Sequence, residues 1–209
     1  MSYSSWRANW KCMVPDFESG DLKLETFEIG KDDFYNWKAG ARATTPGKYK
    51  RLLINGRLFM SDTDAEYSDH TGLFREAEKS SAKSALIYGL GLGLCLRVLL
   101  EEHPELVATV IEINENVVST IGKWFEDTYP GRVQVIQADG MTWIPPKGQK
   151  WDLGWYDIWP DLCTDNLGEV AVLKRRFSKR CKWQAAWGEE LLRSKRRQEA
   201  RQEKAWSWG

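Results

Sequence analysis

The sequence predicts an α/β fold: a parallel sheet covered by helices on both faces, preceded by a small antiparallel β-hairpin unit. Three observations predict it. Five short apolar runs, "SALIY", "ATVIEI", "RVQVIQAD", "WDLGWYDIW" and "CKWQAAW", alternate with helix-length segments. Strands buried on both faces read as near-continuous apolar runs, and parallel neighbours need helical crossovers between them. The first run ends in Gly89-Leu90-Gly91-Leu92-Gly93, a flexible turn where a helix would begin. Upstream, Asn55-Gly56 splits the apolar stretch 49–60, and Asn-Gly is the strongest two-residue hairpin signal because both residues tolerate positive φ.

The elements follow in order. Residues 1–20 read as irregular and aromatic-rich. Residues 21–29, "DLKLETFEI", alternate apolar and polar side chains, as a half-buried strand does. Residues 35–48, rich in Gly, Ala and Thr, read as a loop, and 49–60 as the hairpin. "SDTDAEYSDHTGLFREA" is a helix capped near Ser61 or Asp62. Helices are then expected over 94–102, over 114–129 (with apolar Val117, Val118, Ile121, Trp124 and Phe125), over 165–180 and over 189–206. The organisation this implies is an N-terminal β-unit (1–60), a ligand-binding α/β domain (61–190) and a basic, Trp-containing C-terminal helix or tail (191–209).

Composition narrows the class. Of 209 residues 42% are hydrophobic, enough for a real core, and no apolar run approaches the roughly 20 residues of a membrane span. The N-terminal "MSYSSWRANWK" lacks the apolar core of a secretory signal, so a cytoplasmic protein with no membrane partner is expected. Four scattered cysteines and two histidines offer no metal-ligand spacing. Free buried thiols and no metal are expected. The net charge of zero hides an asymmetry: from Lys174 onward 12 Lys/Arg face four Asp/Glu. Trp183, Trp187, Trp206 and Trp208 lie in the same segment. Such a segment suits phosphate neutralisation with base stacking, or a solvated helix face with Glu/Arg pairs. Trp206 and Trp208 suit docking on another surface, such as a second copy in a homodimer.

Ligands of open parallel sheets bind beyond the carboxyl ends of the strands, at the switch point. Four features fall at such ends. The turn Gly89, Leu90, Gly91, Gly93 lets a ligand approach the backbone. Glu112, with Ile113 beside it, ends "TVIEI" about 20 residues later, where an acid accepts hydrogen bonds from ribose hydroxyls. Asp139-Gly140 ends "VQVIQAD", where a carboxylate meets an adenine amine. Asp157, in "WYDIWPD", falls at the reacting end of the ligand. The first two also fit a dinucleotide, but the third glycine follows the second by two positions where that pattern wants three. Asp157 and Asp161 are the candidate catalytic carboxylates, able to take a proton from an acceptor. Asp62, Asp64, Tyr67 and Trp159 are candidates for the acceptor side. Trp155, Tyr156 and Trp159 suit either a pocket wall or the core. His70, alone in a polar helix, reads as solvated or hydrogen-bonded, and His103 as a helix end.

Residues 50–161 resemble the spermidine synthase-like branch of the class I S-adenosylmethionine-dependent methyltransferases. "LLINGRLFMSDTDAEYSDH" is similar to that branch's "DG…Q…DE…YHE" segment, "ALIYGLGLGLCLRVLLEEHPELVATVIEINENVV" to its glycine turn and "EID..V", and "RVQVIQADGMTW" to its "RV.v…DG". "WYDIWPDLCTDN" with "WQAAWGEEL" is similar to small methyltransferase-like proteins of bacteriophages, which would place the chain in a host cytoplasm. The resemblance implies a Rossmann-like sandwich and S-adenosylmethionine, or its demethylated product, as the bound cofactor. The branch's Gln falls on Phe59, its Tyr-His-Glu run on Ser68-Asp69-His70 and its acidic gate residue on Pro160, departures that weigh against polyamine chemistry. A full methyltransferase sheet carries two strands more than the five found here, so a C-terminally shortened sheet is expected. The expected function is methyl transfer to a small-molecule or nucleic-acid acceptor. The alternatives are aminopropyl transfer and a non-catalytic module binding nucleic acid or protein through the basic tail.

Overall fold

The computed structural model describes residues 3–34, 38, 40 and 43–206. The N-terminal unit opens with helix α1 (Tyr3–Asn9) and short strand β1 (Phe17–Ser19), where the sequence suggested irregular chain. It continues with β2 (Leu22–Ile29), β3 (Gly47–Ile54) and β4 (Arg57–Ser61), an antiparallel sheet in the order β1-β2-β3-β4. The Asn55-Gly56 turn joins β3 to β4 as expected, with φ of 51° and 72°. Part of the predicted loop 35–48 lies outside the described residues, as does Trp208.

Helix α2 (Asp64–Ser80) leads into the second sheet. Its strands are β5 (Ser84–Tyr88), β6 (Val107–Glu112), β7 (Val133–Gln137), β8 (Trp151–Tyr156) and β9 (Cys181–Ala186). All pair in parallel, in the order β7-β6-β5-β8-β9. The chain is thus a Rossmann-like α/β protein, doubly wound, with its switch point between β5 and β8. Helix α3 (Leu94–Glu102) crosses from β5 to β6. The predicted 114–129 helix is α4 (Glu115–Val117), a π-turn (Val118–Gly122) and α5 (Lys123–Thr128), started by the Asn114 side chain accepting from the N–H groups of Asn116 and Val117. Helices α6 (Asn166–Phe177) and α7 (Glu189–Trp206) flank β9, and among the described residues no strand follows it.

Among the described residues the buried side chains of the N-terminal unit share a core with the parallel domain. Trp6, Trp10, Leu22, Leu24 and Leu52 pack in one cluster with Ala85, Ile87, Leu96 and Val110 of the parallel domain. A second cluster under α6 joins Tyr88, Tyr156, Trp151 and Phe177. No break separates residue 190 from 191: α7 runs through both, buries Leu192, and holds buried Glu189 against Lys174 and Arg193. Cys12, Cys95 and Cys181 are buried free thiols, whereas Cys163 is exposed, contrary to expectation. Among the described residues no helix is long and apolar enough to cross a membrane.

Candidate active site

The carboxyl ends of four neighbouring strands finish level. Gly89 N–H donates to the Ile111 carbonyl (2.8 Å), Asp157 N–H to that of Tyr88 (2.9 Å) and Ala138 N–H to that of Glu112 (2.9 Å). Each strand therefore delivers its next residues to one rim. There a cavity of about 480 Å³ opens, a volume in the range of small-molecule sites. Gly89, Leu90 and Gly91 line it from the turn, and Glu112, Ile113, Asp139 and Gly140 from the ends of β6 and β7. Asp157 and Trp159 line it from β8.

The turn admits only glycine at its first position. Gly89 has φ of +83°, and a Cβ there would lie 1.9 Å from the Asp157 carbonyl oxygen. Gly91 faces the N-terminal unit, where Met60 Sδ would meet its Cβ at 2.3 Å and accepts from Leu92 N–H at 2.9 Å. Glu112 is buried, and both its oxygens are fixed by backbone: Leu90 N–H donates to Oε2 and Asn114 N–H to Oε1, each at 2.8 Å. A carboxylate has about four acceptor sites, so each oxygen keeps capacity for a ligand hydroxyl. Asp139 is exposed and accepts from Met141 N–H (2.8 Å) and the Thr142 hydroxyl (3.2 Å).

Five sequence candidates lie elsewhere. Gly93 turns its α-carbon to Phe125 inside the core, where a Cβ would lie 2.1 Å from the ring. Asp62 is buried as a backbone clasp, accepting from Cys12 N–H (3.0 Å) and Lys50 N–H (2.7 Å). Asp64 pairs with Arg7 at 2.6 Å and with Thr45. Tyr67 is buried against Trp10 and Phe74. Asp161 is exposed, and its carbonyl accepts from the Asn166 side chain. None of the five lines the cavity. The physical reason for Asp62, Asp64 and Tyr67 is local: their partners Cys12, Lys50, Arg7, Thr45 and Trp10 belong to the N-terminal unit, so these side chains tie the start of α2 to that unit and not to a ligand. Helix α2 likewise lacks the expected cap. Its N-cap is Thr63 without a side-chain bond, and Glu66 Oε1 takes both the N–H and the hydroxyl of Ser61. Of Trp155, Tyr156 and Trp159, only Trp159, past the end of β8, reaches the cavity, donating Nε1–H to Glu169 at 2.6 Å, while Trp155 and Tyr156, within β8, are core.

The residue the sequence reading undervalued is His70. It is buried, not solvated, and it lines the cavity together with Glu66, Trp10 and Cys95. Its Nδ1 lies 3.0 Å from the Glu66 carbonyl and its Nε2 lies 3.2 Å from Asp157 Oδ2. A carbonyl only accepts, so Nδ1 is the donor to Glu66, and the Nε2 contact with the carboxylate favours an imidazole protonated on both nitrogens. Burial pulls His70 down, but the hydrogen bond and charge of Asp157 and the Glu66 carbonyl outweigh it, so its pKa lies above the ordinary value. Burial pushes the Glu66 carboxyl up to about 7, partly offset by its bonds from Ser61. The signal was in the sequence: Glu66 and His70 are four apart and so share a helix face. Among the described residues the lining holds five acidic side chains, Glu66, Glu112, Asp139, Asp157 and Glu169, and no Lys or Arg.

Fold and cavity together define a doubly wound α/β domain with a cavity at its switch point. No family model matches the chain. Two curated proteins do, both aminopropyltransferases by name, in line with the spermidine synthase-like resemblance. The "Probable polyamine aminopropyl transferase" of Bifidobacterium longum is 30% identical over 92 residues, 44% of this chain and 20% of that protein. "Polyamine aminopropyltransferase 1" of Streptomyces coelicolor is 30% identical over 128 residues, 57% of this chain and 24% of that protein. The chain thus spans about a fifth to a quarter of the length of the curated relatives it matches. Similar solved structures include StiE O-MT (TM-score 0.45, 18% identity, 56% of this chain and 40% of that one). They also include the mitomycin 7-O-methyltransferase MmcR (TM-score 0.39, 19% identity, 56% and 35%).

Proposed function

We propose that this protein is a transferase that binds S-adenosylmethionine, with Glu112 on the ribose, Asp139 toward the adenine amine and the turn at 89–91 beside the 5′ arm. The observation that carries the reading is the orientation of Glu112, clamped by two backbone N–H groups on the rim it shares with Asp139 and Asp157. The bound sulfonium supplies an alkyl group already activated for transfer. What remains for the chain is placement of an acceptor in line and acceptance of its proton, for which Asp157 is the carboxylate. Methyl transfer is the first reading, the acceptor being a small molecule or a nucleic acid. Calorimetry with S-adenosylmethionine and S-adenosylhomocysteine tests it: both bind the wild type, Glu112→Ala loses both, and absence of binding at millimolar ligand rejects it.

A second reading, aminopropyl transfer from the decarboxylated donor, is favoured by the five acidic side chains and the lack of Lys or Arg among the described lining residues. A donor without its own carboxylate, and an amine acceptor, suit such a wall. Product analysis with putrescine and each donor separates the two readings.

A further inference from the structure

The pairing of His70 with Asp157 has no part in holding an adenosine, and its chemistry points to the charge of the ligand's other end. Across the rim the groups run in the order Asp139 (after β7), Glu112 (β6), Gly89 to Gly91 (after β5) and Asp157 (after β8). Three strand spacings, about 14 Å, separate the first from the last. A nucleoside fixed at the Glu112 end therefore directs its 5′ arm over the turn toward Asp157. Asp157 Oδ2 is taken by His70 Nε2, and the side chain, a quarter exposed, lines the cavity.

We propose that His70, acting through Asp157, makes the site read the charge on the ligand's sulfur: a sulfonium displaces the proton shared between Nε2 and Oδ2 into solvent, and a neutral thioether leaves it in place. This rests on the cofactor reading above. His70 is a positioning residue here, since Asp157 stands between it and the ligand.

The electrostatic setting supports the exchange. Facing His70 are Asp157 from the loop after β8, and Glu66 and Asp69 from its own helix. Trp10 and Trp155 cover its ring at 5.0 and 5.4 Å without charge. From α3 the Cys95 thiol, pushed up by burial and by Asp157, stays neutral. With an empty cavity Asp157 is balanced by the imidazolium. A sulfonium cation beside the same carboxylate supplies that balance itself and repels the proton, lowering the proton affinity of His70 by about 10- to 100-fold at ordinary protein screening. By linkage, the sulfonium binds more tightly once His70 is neutral.

S-adenosylmethionine and S-adenosylhomocysteine differ only in the sulfur methyl and its charge, so their affinity ratio isolates the effect. Calorimetry on the full chain from about pH 6 to about pH 8.5, in phosphate and in Tris, reads both the ratio and the protons released. The expected result is a ratio rising about 10- to 100-fold with pH, with more protons released by S-adenosylmethionine than by S-adenosylhomocysteine. His70→Gln and Asp157→Asn flatten the ratio, while Glu66→Gln preserves its slope. A flat wild-type ratio with both ligands bound overturns this inference and leaves the cofactor reading standing. Failure of both ligands to bind overturns both. Loss of the slope in Glu66→Gln while His70→Gln keeps it assigns the proton to Glu66 and also overturns the inference. Imidazole NMR, with His103→Gln to assign the two histidines, provides a ligand-free arm that survives misfolding of His70→Gln. Asp157→Asn lowers the His70 midpoint by about 1 to 3 pH units, and an unmoved midpoint refutes the shared proton.

Discussion

Substituting Glu112→Gln tests the centre of the site with one atom. The carboxylate accepts Leu90 N–H on one oxygen and Asn114 N–H on the other, both at 2.8 Å. The amide keeps one acceptor and replaces the other with a donor. One backbone N–H must then face an NH₂ group, and the side chain is 8% exposed, so water cannot easily repair the loss. An unsatisfied buried donor costs about 1–3 kcal/mol. For a chain of this size each kcal/mol moves Tm by about 2–4 °C, so a fall of about 4–8 °C is expected for 2 kcal/mol. The same change removes a ribose acceptor, and S-adenosylhomocysteine affinity should drop about 10- to 100-fold, one charged hydrogen bond being worth about 1.5–3 kcal/mol. Thermal melts with and without ligand, beside calorimetry, measure both effects. An unchanged Tm together with unchanged affinity would refute the clamp and the ribose role alike.

Three further outcomes follow from the same geometry. Gly89→Ala should destabilise by about 3 kcal/mol or more, because its Cβ meets immovable backbone at 1.9 Å at a φ of +83°. Gly91→Ala, meeting only the end of Met60 at 2.3 Å, should cost about 1–2 kcal/mol, and denaturant melts showing the reverse order would contradict the turn geometry. Glu66 stays protonated to about pH 7 in the folded chain. The unfolded chain ionises it near 4.3 and so binds fewer protons in between. Stability is therefore lost as pH rises through that window, by on the order of 3 kcal/mol. Glu66→Gln should match the wild type below about pH 4 and exceed it at pH 8, and equal pH–stability curves would count against the buried neutral acid. Asp139→Ala removes contacts to Met141 and Thr142 at an exposed site, so Tm should fall by about 2–4 °C or less, while cofactor affinity drops about tenfold if the carboxylate meets the adenine amine.

The sequence by itself determined the local grammar: which apolar runs are strands, the Asn55-Gly56 hairpin, the helices at 94–102 and 189–206, and the glycine turn with acids at the following strand ends. These are short-range facts, set by side-chain periodicity and backbone freedom. Tertiary structure alone decided which acids face a ligand. Asp62, Asp64 and Tyr67 were drawn into contacts with the N-terminal unit, and Gly93 into packing on Phe125. His70, 87 residues from Asp157 along the chain, met it only because α2 lies across β8. A carboxylate has the same chemistry in sequence whether it clasps backbone or lines a cavity, and the long-range fold chooses between them.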